Sequence, residues 1–123
     1  MATNSHVEGL GFSSSHLFSP LELVDRIPRS DSAANTVKES RKIVQEILEG
    51  RDQRLMIITG PCSIHDEEAA LDYARRLIDL RNKLGDKIFI LMRVYFEKPR
   101  TTVGWKGFIN DPSLDETYNI PEG

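Results

Sequence analysis

The chain has 123 residues, 39% of them hydrophobic and 28% charged, with a formal net charge of -3, which argues for one globular domain and against wholesale disorder. A net acidic chain lacks the broad basic surface that nucleic acid requires, and no apolar run approaches the roughly 18 residues of a membrane span. The single cysteine, Cys62, allows no internal disulfide. The opening stretch, MATNSHVEGLGFSSSHLFSP, is rich in Ser and carries no Lys or Arg. A secretory signal needs a basic start and an apolar core, and a transit peptide needs Arg. The expected location is therefore cytoplasmic, with residues 1–17 a flexible or partner-dependent N-terminus.

Ser19-Pro20 is a helix-start signal, because a hydroxyl can cap while Pro occupies the first helical position at no hydrogen-bonding cost. Leu21, Leu23, Val24 and Ile27 predict a short helix that Pro28 stops. Ser30, Asp31 and Ser32 offer a second cap. Val37, Val44, Ile47 and Leu48 then recur at helical period, predicting a helix over 33–49 with Gly50 as its stop.

Leu55-Met56-Ile57-Ile58-Thr59 is a continuous apolar run ending at Gly60-Pro61, the pattern of a strand buried on both faces of a parallel sheet. Asp66 is the expected cap of the next helix, with Glu67 and Glu68 in its first turn, where the helix dipole favours acid. Ala70, Ala74, Leu77, Ile78 and Leu84 make one apolar stripe, and Gly85 ends it. Ile88-Phe89-Ile90-Leu91-Met92 predicts a second buried strand, so residues 55–94 read as one βαβ unit. The tail, Asp115 to Gly123, resembles the approach to a further helix. Two strands cannot bury both faces of a parallel sheet, and the chain is expected to be the front portion of something larger.

Candidate chemistry gathers after the two strands, where α/β proteins bind ligands. Cys62 follows the first strand. Its thiolate can ligate a metal or act as a nucleophile, and an inert, half-buried thiol is the plain alternative. Cys62 and His65 have the spacing of a metal pair, but no second pair accompanies them, and His65 beside Asp66 also reads as a loop or cap histidine. Ser63, His65 and Asp66 are too close in sequence to be arranged as a triad. After the second strand, Arg93, Lys98, Arg100 and Lys106 stand against Glu97 alone, a local charge of +3 in a chain of -3. Arg can fork onto a phosphate or carboxylate, Lys adds a point charge, and Thr101 and Thr102 add hydroxyl donors. Pro99 stiffens the segment by holding Lys98 extended. A solvated basic loop is the bland reading. Against it, the cluster follows a buried strand directly and is interleaved with Tyr95, Phe96, Pro99 and Trp105, and an unpaired Arg93 at the close of an apolar strand would be costly. Physical chemistry thus points to an anion at the strand mouth. No GxxxxGK[ST] or GxGxxG pattern supports a nucleotide.

GPCSIHD at 60–66 and MRVYFEKPRTTVGWKGFINDP at 92–112 closely resemble 3-deoxy-D-arabino-heptulosonate 7-phosphate (DAHP) synthase, in its class sensitive to aromatic amino acids. The resemblance runs from about Phe18 to the last residue. It implies the N-terminal portion, a helical extension and the first βαβ unit, of a (β/α)8 TIM barrel in the α/β class, with boundaries at 18–50 for the extension and 51–123 for the start of the barrel. It implies condensation of phosphoenolpyruvate with D-erythrose 4-phosphate, the first step of the shikimate pathway towards aromatic amino acids, with a divalent metal ion and a homo-oligomer. Residue by residue, it implies that Cys62 is a metal ligand, and that Arg93 and Lys98 hold the carboxylate end of phosphoenolpyruvate as the catalytic cations. It further implies that Arg100 and Thr101, in Lys98-Pro99-Arg100-Thr101, grip the sugar phosphate. A sister class that uses arabinose 5-phosphate typically reads Lys-Ala-Asn-Arg at those four positions, which favours the erythrose-using class.

A barrel of this type takes about 250 residues, and in the family the remaining metal ligands, a His, a Glu and an Asp, come later in the chain. Residues 1–123 alone are therefore expected to be inactive and poorly folded. Two other readings stand beside this one: an interaction fragment that associates with full-length synthase through its helical stretch, and an independent small anion-binding domain.

Overall fold

A computed structural model describes residues 16–123, in the order α1 (Pro20–Arg26), α2 (Asp31–Leu48), β1 (Leu55–Thr59), α3 (Glu67–Leu84) and β2 (Ile88–Met92). The flexible N-terminus expected over 1–17 lies outside these residues as far as position 15.

The helices start where short polar side chains satisfy the first free amides. Ser19 opens α1 through a capping box: the Glu22 amide donates to Ser19 Oγ (3.3 Å), and the Ser19 amide donates to Glu22 Oε2 (2.8 Å). The Arg26 guanidinium then stacks 4.1 Å from the centre of the Phe18 ring. Helix α2 begins two residues ahead of the expected position 33 because Ser30, rather than Ser32, is its cap, with the Ala33 amide donating to Ser30 Oγ at 3.1 Å. Replacing that one acceptor, Ser30→Ala, is expected to destabilise the fold by about 1 kcal/mol, read as a shift in the midpoint of chemical denaturation. Gly50 follows at φ 74, a left-handed residue that ends the helix.

Both strands and α3 fall where the apolar pattern places them. β1 and β2 pair in parallel, with Leu55 beside Ile88 and Thr59 beside Met92. The ladder extends one bond at each end, Leu55 N to Lys87 O (3.0 Å) and Arg93 N to Thr59 O (2.7 Å). Asp66 caps α3 through the Ala69 amide at 2.6 Å. Helix α3 packs on β2, and α2 reaches β1. Phe89 and Ile64 are the most buried apolar side chains, while Leu55 and Ile58 on β1 remain exposed. Of the expected barrel the structure displays one βαβ unit, because the sheet has two strands. No helix among the described residues is long and apolar enough to cross a membrane.

A helix that the tail would approach lies outside the described residues. After β2 the chain forms turns, bends and irregular backbone without a further helix or strand, with Leu114, Glu116 and Tyr118 in the left-handed region at φ 56, 64 and 52. Asp111, 2% exposed, holds them: its carboxylate accepts from the Glu116 amide (3.2 Å) and the Tyr118 amide (3.4 Å). Local carboxylate–amide bonds offer this backbone an alternative to helical hydrogen bonding.

A candidate anion and metal site at the strand ends

Parallel pairing in register brings the carboxyl ends of β1 and β2 to one edge, so the loops after them emerge side by side. The first loop, from Gly60, closes onto the second where the Ile64 amide donates to Tyr95 O at 2.7 Å. The second loop closes on itself through Lys98 N to Lys106 O (2.7 Å) and Ile109 N to Phe96 O (3.0 Å). Trp105 Nε1 donates to Asp111 O at 2.7 Å and ties the loop to the turns beyond it. Cations and thiol thus sit on segments fixed by main-chain bonds, in keeping with the preorganisation that a binding site needs.

Lys98 Nζ donates to Cys62 Sγ at 2.7 Å, although the two residues lie 36 positions apart. The Lys98 hydrogen bond and charge, aided by weaker contributions from the charges of Arg93 and Arg100, hold the Cys62 thiol below its ordinary range against an opposing effect of burial. Cys62 is exposed and free, not half-buried as the plain alternative expects. A depressed thiol pKa favours the thiolate, the form that attacks electrophiles and binds metals. The thiolate–ammonium attraction is fully present above the pKa of an unfolded thiol and is lost as pH falls through the lower folded value. Removing its largest cause, in Lys98→Met, is expected to move the pH midpoint of Cys62 alkylation by iodoacetamide upward. An unmoved midpoint would mean that the contact does not govern the thiol.

Arg93 is half-buried, and its Nη2 donates to Gly60 O and Pro61 O, both at 3.1 Å. Its guanidinium lies 5.4 Å from the Tyr95 ring centre. Arg93 Nε is buried without a hydrogen-bond partner, a costly state for a charged group's donor. The arginine at the strand end is therefore anchored on one side and unsatisfied on another. Arg100 is exposed and makes one long contact, Nε to Trp105 O at 3.4 Å. Thr101 and Thr102 are exposed beside it, and Pro99 is exposed between the two cations. Lys106 turns back to the main chain, with Nζ 3.3 Å from Arg100 O.

The other sequence candidates separate from this group. Asp66 is occupied as the cap of α3, Ser63 is buried and His65 is exposed, so these three do not form a catalytic relay. Among the described residues no group of three or more His, Cys, Asp or Glu side chains converges as a metal site. Cys62 fits a metal as one soft ligand, and a catalytic site usually needs three from protein. Asp111 was not singled out by sequence reasoning. Its Asn-Asp-Pro setting is a turn signal, and nothing in the pattern marks the carboxylate as buried.

Residues 31–123 match the family described as the DAHP synthetase I family. The chain belongs to this family. Relatives include the Phe-sensitive phospho-2-dehydro-3-deoxyheptonate aldolase of Escherichia coli K12, 54% identical over 107 residues, or 87% of this chain and 31% of that one. A phospho-2-dehydro-3-deoxyheptonate aldolase of Haemophilus influenzae is 53% identical over 104 residues, covering 85% of this chain and 29% of the relative. Among solved structures, the aldolase of Francisella tularensis SCHU S4 superposes with a TM-score of 0.83 at 49% identity, over 89% of this chain and 32% of that one. The chain thus spans about a third of the length of the DAHP synthetase relatives that it matches. Both loops of the strand-end site lie within the matched residues.

Proposed function

We propose that this chain contributes the first part of a DAHP synthase, which condenses phosphoenolpyruvate with D-erythrose 4-phosphate to DAHP and phosphate. The observation that carries the proposal is the convergence of Cys62, Lys98 and Arg93 at one strand edge, on segments that match the family. In this reading residues 18–50 are a helical extension and residues 51–123 begin a (β/α)8 barrel. Its active site would lie at the carboxyl ends of the strands, as in barrels generally.

The two substrates bring a carboxylate and two phosphates. Arg93 and Lys98 take the carboxylate end of phosphoenolpyruvate, and an oxygen arriving there would engage guanidinium donors that Gly60 and Pro61 leave free. Arg100 and Thr101, past the rigid Pro99, take the sugar phosphate by charge and hydroxyl donation. With both anions held side by side, C3 of phosphoenolpyruvate attacks the aldehyde carbon, water adds at C2, and phosphate leaves with the former enol oxygen. The cations contribute by positioning the reactants and offsetting their charge. Cys62 supplies one thiolate ligand for a divalent metal ion, which when bound polarises or orients the aldehyde.

The reading places the protein in the cytoplasm and in a homo-oligomer. Helix α1 favours an association role for the extension, since Leu21 and Ile27 are 73% and 77% exposed. The full-length protein is expected to consume phosphoenolpyruvate only with erythrose 4-phosphate present, and to stop when a chelator is added. Residues 1–123 alone are expected to form no product. Lack of turnover by the metal-supplemented full-length protein would defeat the proposal.

A further inference from the structure

We infer that Gly60 and Gly107 are positioning residues for Arg93 and Lys98, each holding the main chain of one cation at a separation that no side chain permits. This rests on the proposed roles of those two cations. A Cβ on Gly60 would fall inside contact distance of the Arg93 carbonyl oxygen, 3.0 Å from Arg93 N and 3.1 Å from Arg93 C. A Cβ on Gly107 would stand 2.5 Å from Glu97 Cα, 2.6 Å from Phe96 O and 2.7 Å from Lys98 N. All six atoms belong to the main chain, so no flexible side-chain end can swing aside. Relief requires moving main chain, at the end of β2 for Arg93 and in the loop beyond it for Lys98.

The hydrogen bonds make the coupling direct. Gly60 O accepts from Arg93 Nη2 at 3.1 Å, so displacing that backbone moves both the arginine's root and the anchor of its guanidinium. Gly107 follows Lys106, whose carbonyl accepts from Lys98 N at 2.7 Å. Gly107 is buried at φ +115, which adds backbone strain to any substitution there. Gly60 is not left-handed, so its requirement is purely one of space. Gly50, at φ +74 with nothing within 4 Å of an added Cβ, carries strain without any collision.

The test compares Gly60→Ala, Gly107→Ala, Gly50→Ala and Lys98→Met in the proposed full-length synthase, with melting temperature beside kcat and KM for each substrate. Misplacement of a positioned group by about 1 Å costs about a hundredfold. Gly60→Ala and Gly107→Ala are therefore expected to lower kcat/KM for phosphoenolpyruvate by about that factor while folded. Gly50→Ala is expected to melt earlier with unchanged kinetic constants. A folded Gly60→Ala with normal constants would overturn the inference. So would failure of both site variants to fold while Gly50→Ala folds, since the role would then be structural. Normal phosphoenolpyruvate kinetics in Lys98→Met would remove instead the reading of the cations on which the inference stands.

Discussion

If Arg93 holds phosphoenolpyruvate as proposed, Arg93→Ala in the proposed full-length synthase is expected to lower kcat/KM for that substrate by about a thousandfold, within the roughly 3–5 kcal/mol lost when one partner of a desolvated charge contact is truncated. Arg93 stands at the end of β2, its main chain bonded to Thr59 and its Nη2 shared between the Gly60 and Pro61 carbonyls. Truncation removes the proposed anion contact and leaves those carbonyls without their donor. The effect should concentrate on phosphoenolpyruvate, with the KM for erythrose 4-phosphate little changed. Arg93→Lys keeps one positive charge but not the fork that spans two carbonyls and an anion, so it should recover only part of the loss. Steady-state kinetics on the two variants checks this. Equal activity in Arg93→Ala and the parent would show that the half-buried arginine is scaffold alone.

Asp111→Ala carries the largest expected effect on stability, a loss of about 3 kcal/mol, because hydrogen bonds to a charged group contribute about 1.5–3 kcal/mol each. Asp111 is 2% exposed, and its carboxylate accepts from two amides in a segment where Leu114, Glu116 and Tyr118 all hold positive φ. Each left-handed residue costs about 1 kcal/mol or more against an ordinary backbone, so without its central acceptor the segment has little reason to keep this path. Trp105 should report the change, since its indole donates to the carbonyl of the same residue. Asp111→Asn retains one acceptor oxygen and should lose about half as much. Urea denaturation followed by tryptophan emission checks both. A shift in Asp111→Ala below about 0.5 kcal/mol, the range of an ordinary surface change, would contradict the assignment.

The βαβ unit was legible because its apolar runs are short, continuous and bounded by Gly60, Asp66 and Gly85. Runs of that kind leave few alternatives once the helical stripe between them is recognised. The start of α2 was less legible, since Ser30, Asp31 and Ser32 are all competent caps and only the geometry chose Ser30. Cys62 and the basic cluster were legible as residues standing after strands. Their meeting was not, because a contact across 36 positions depends on parallel register and on the closure of two loops. The turns after Asp111 were not legible in detail, because capping residues and turn residues are the same residues. The exposure of Leu55 and Ile58 is the physical trace of a strand pattern suited to more neighbours than two strands and their helices provide.

Arg100→Ala separates the proposed division of labour, with Arg93 and Lys98 on phosphoenolpyruvate and Arg100 on the sugar phosphate. The measurement is the KM of each substrate in the proposed full-length synthase. The account predicts a KM for erythrose 4-phosphate raised by about tenfold or more, the 1.5–3 kcal/mol of one charge-assisted contact, with the KM for phosphoenolpyruvate unchanged. A rise confined to phosphoenolpyruvate, or no change in either constant, would contradict it.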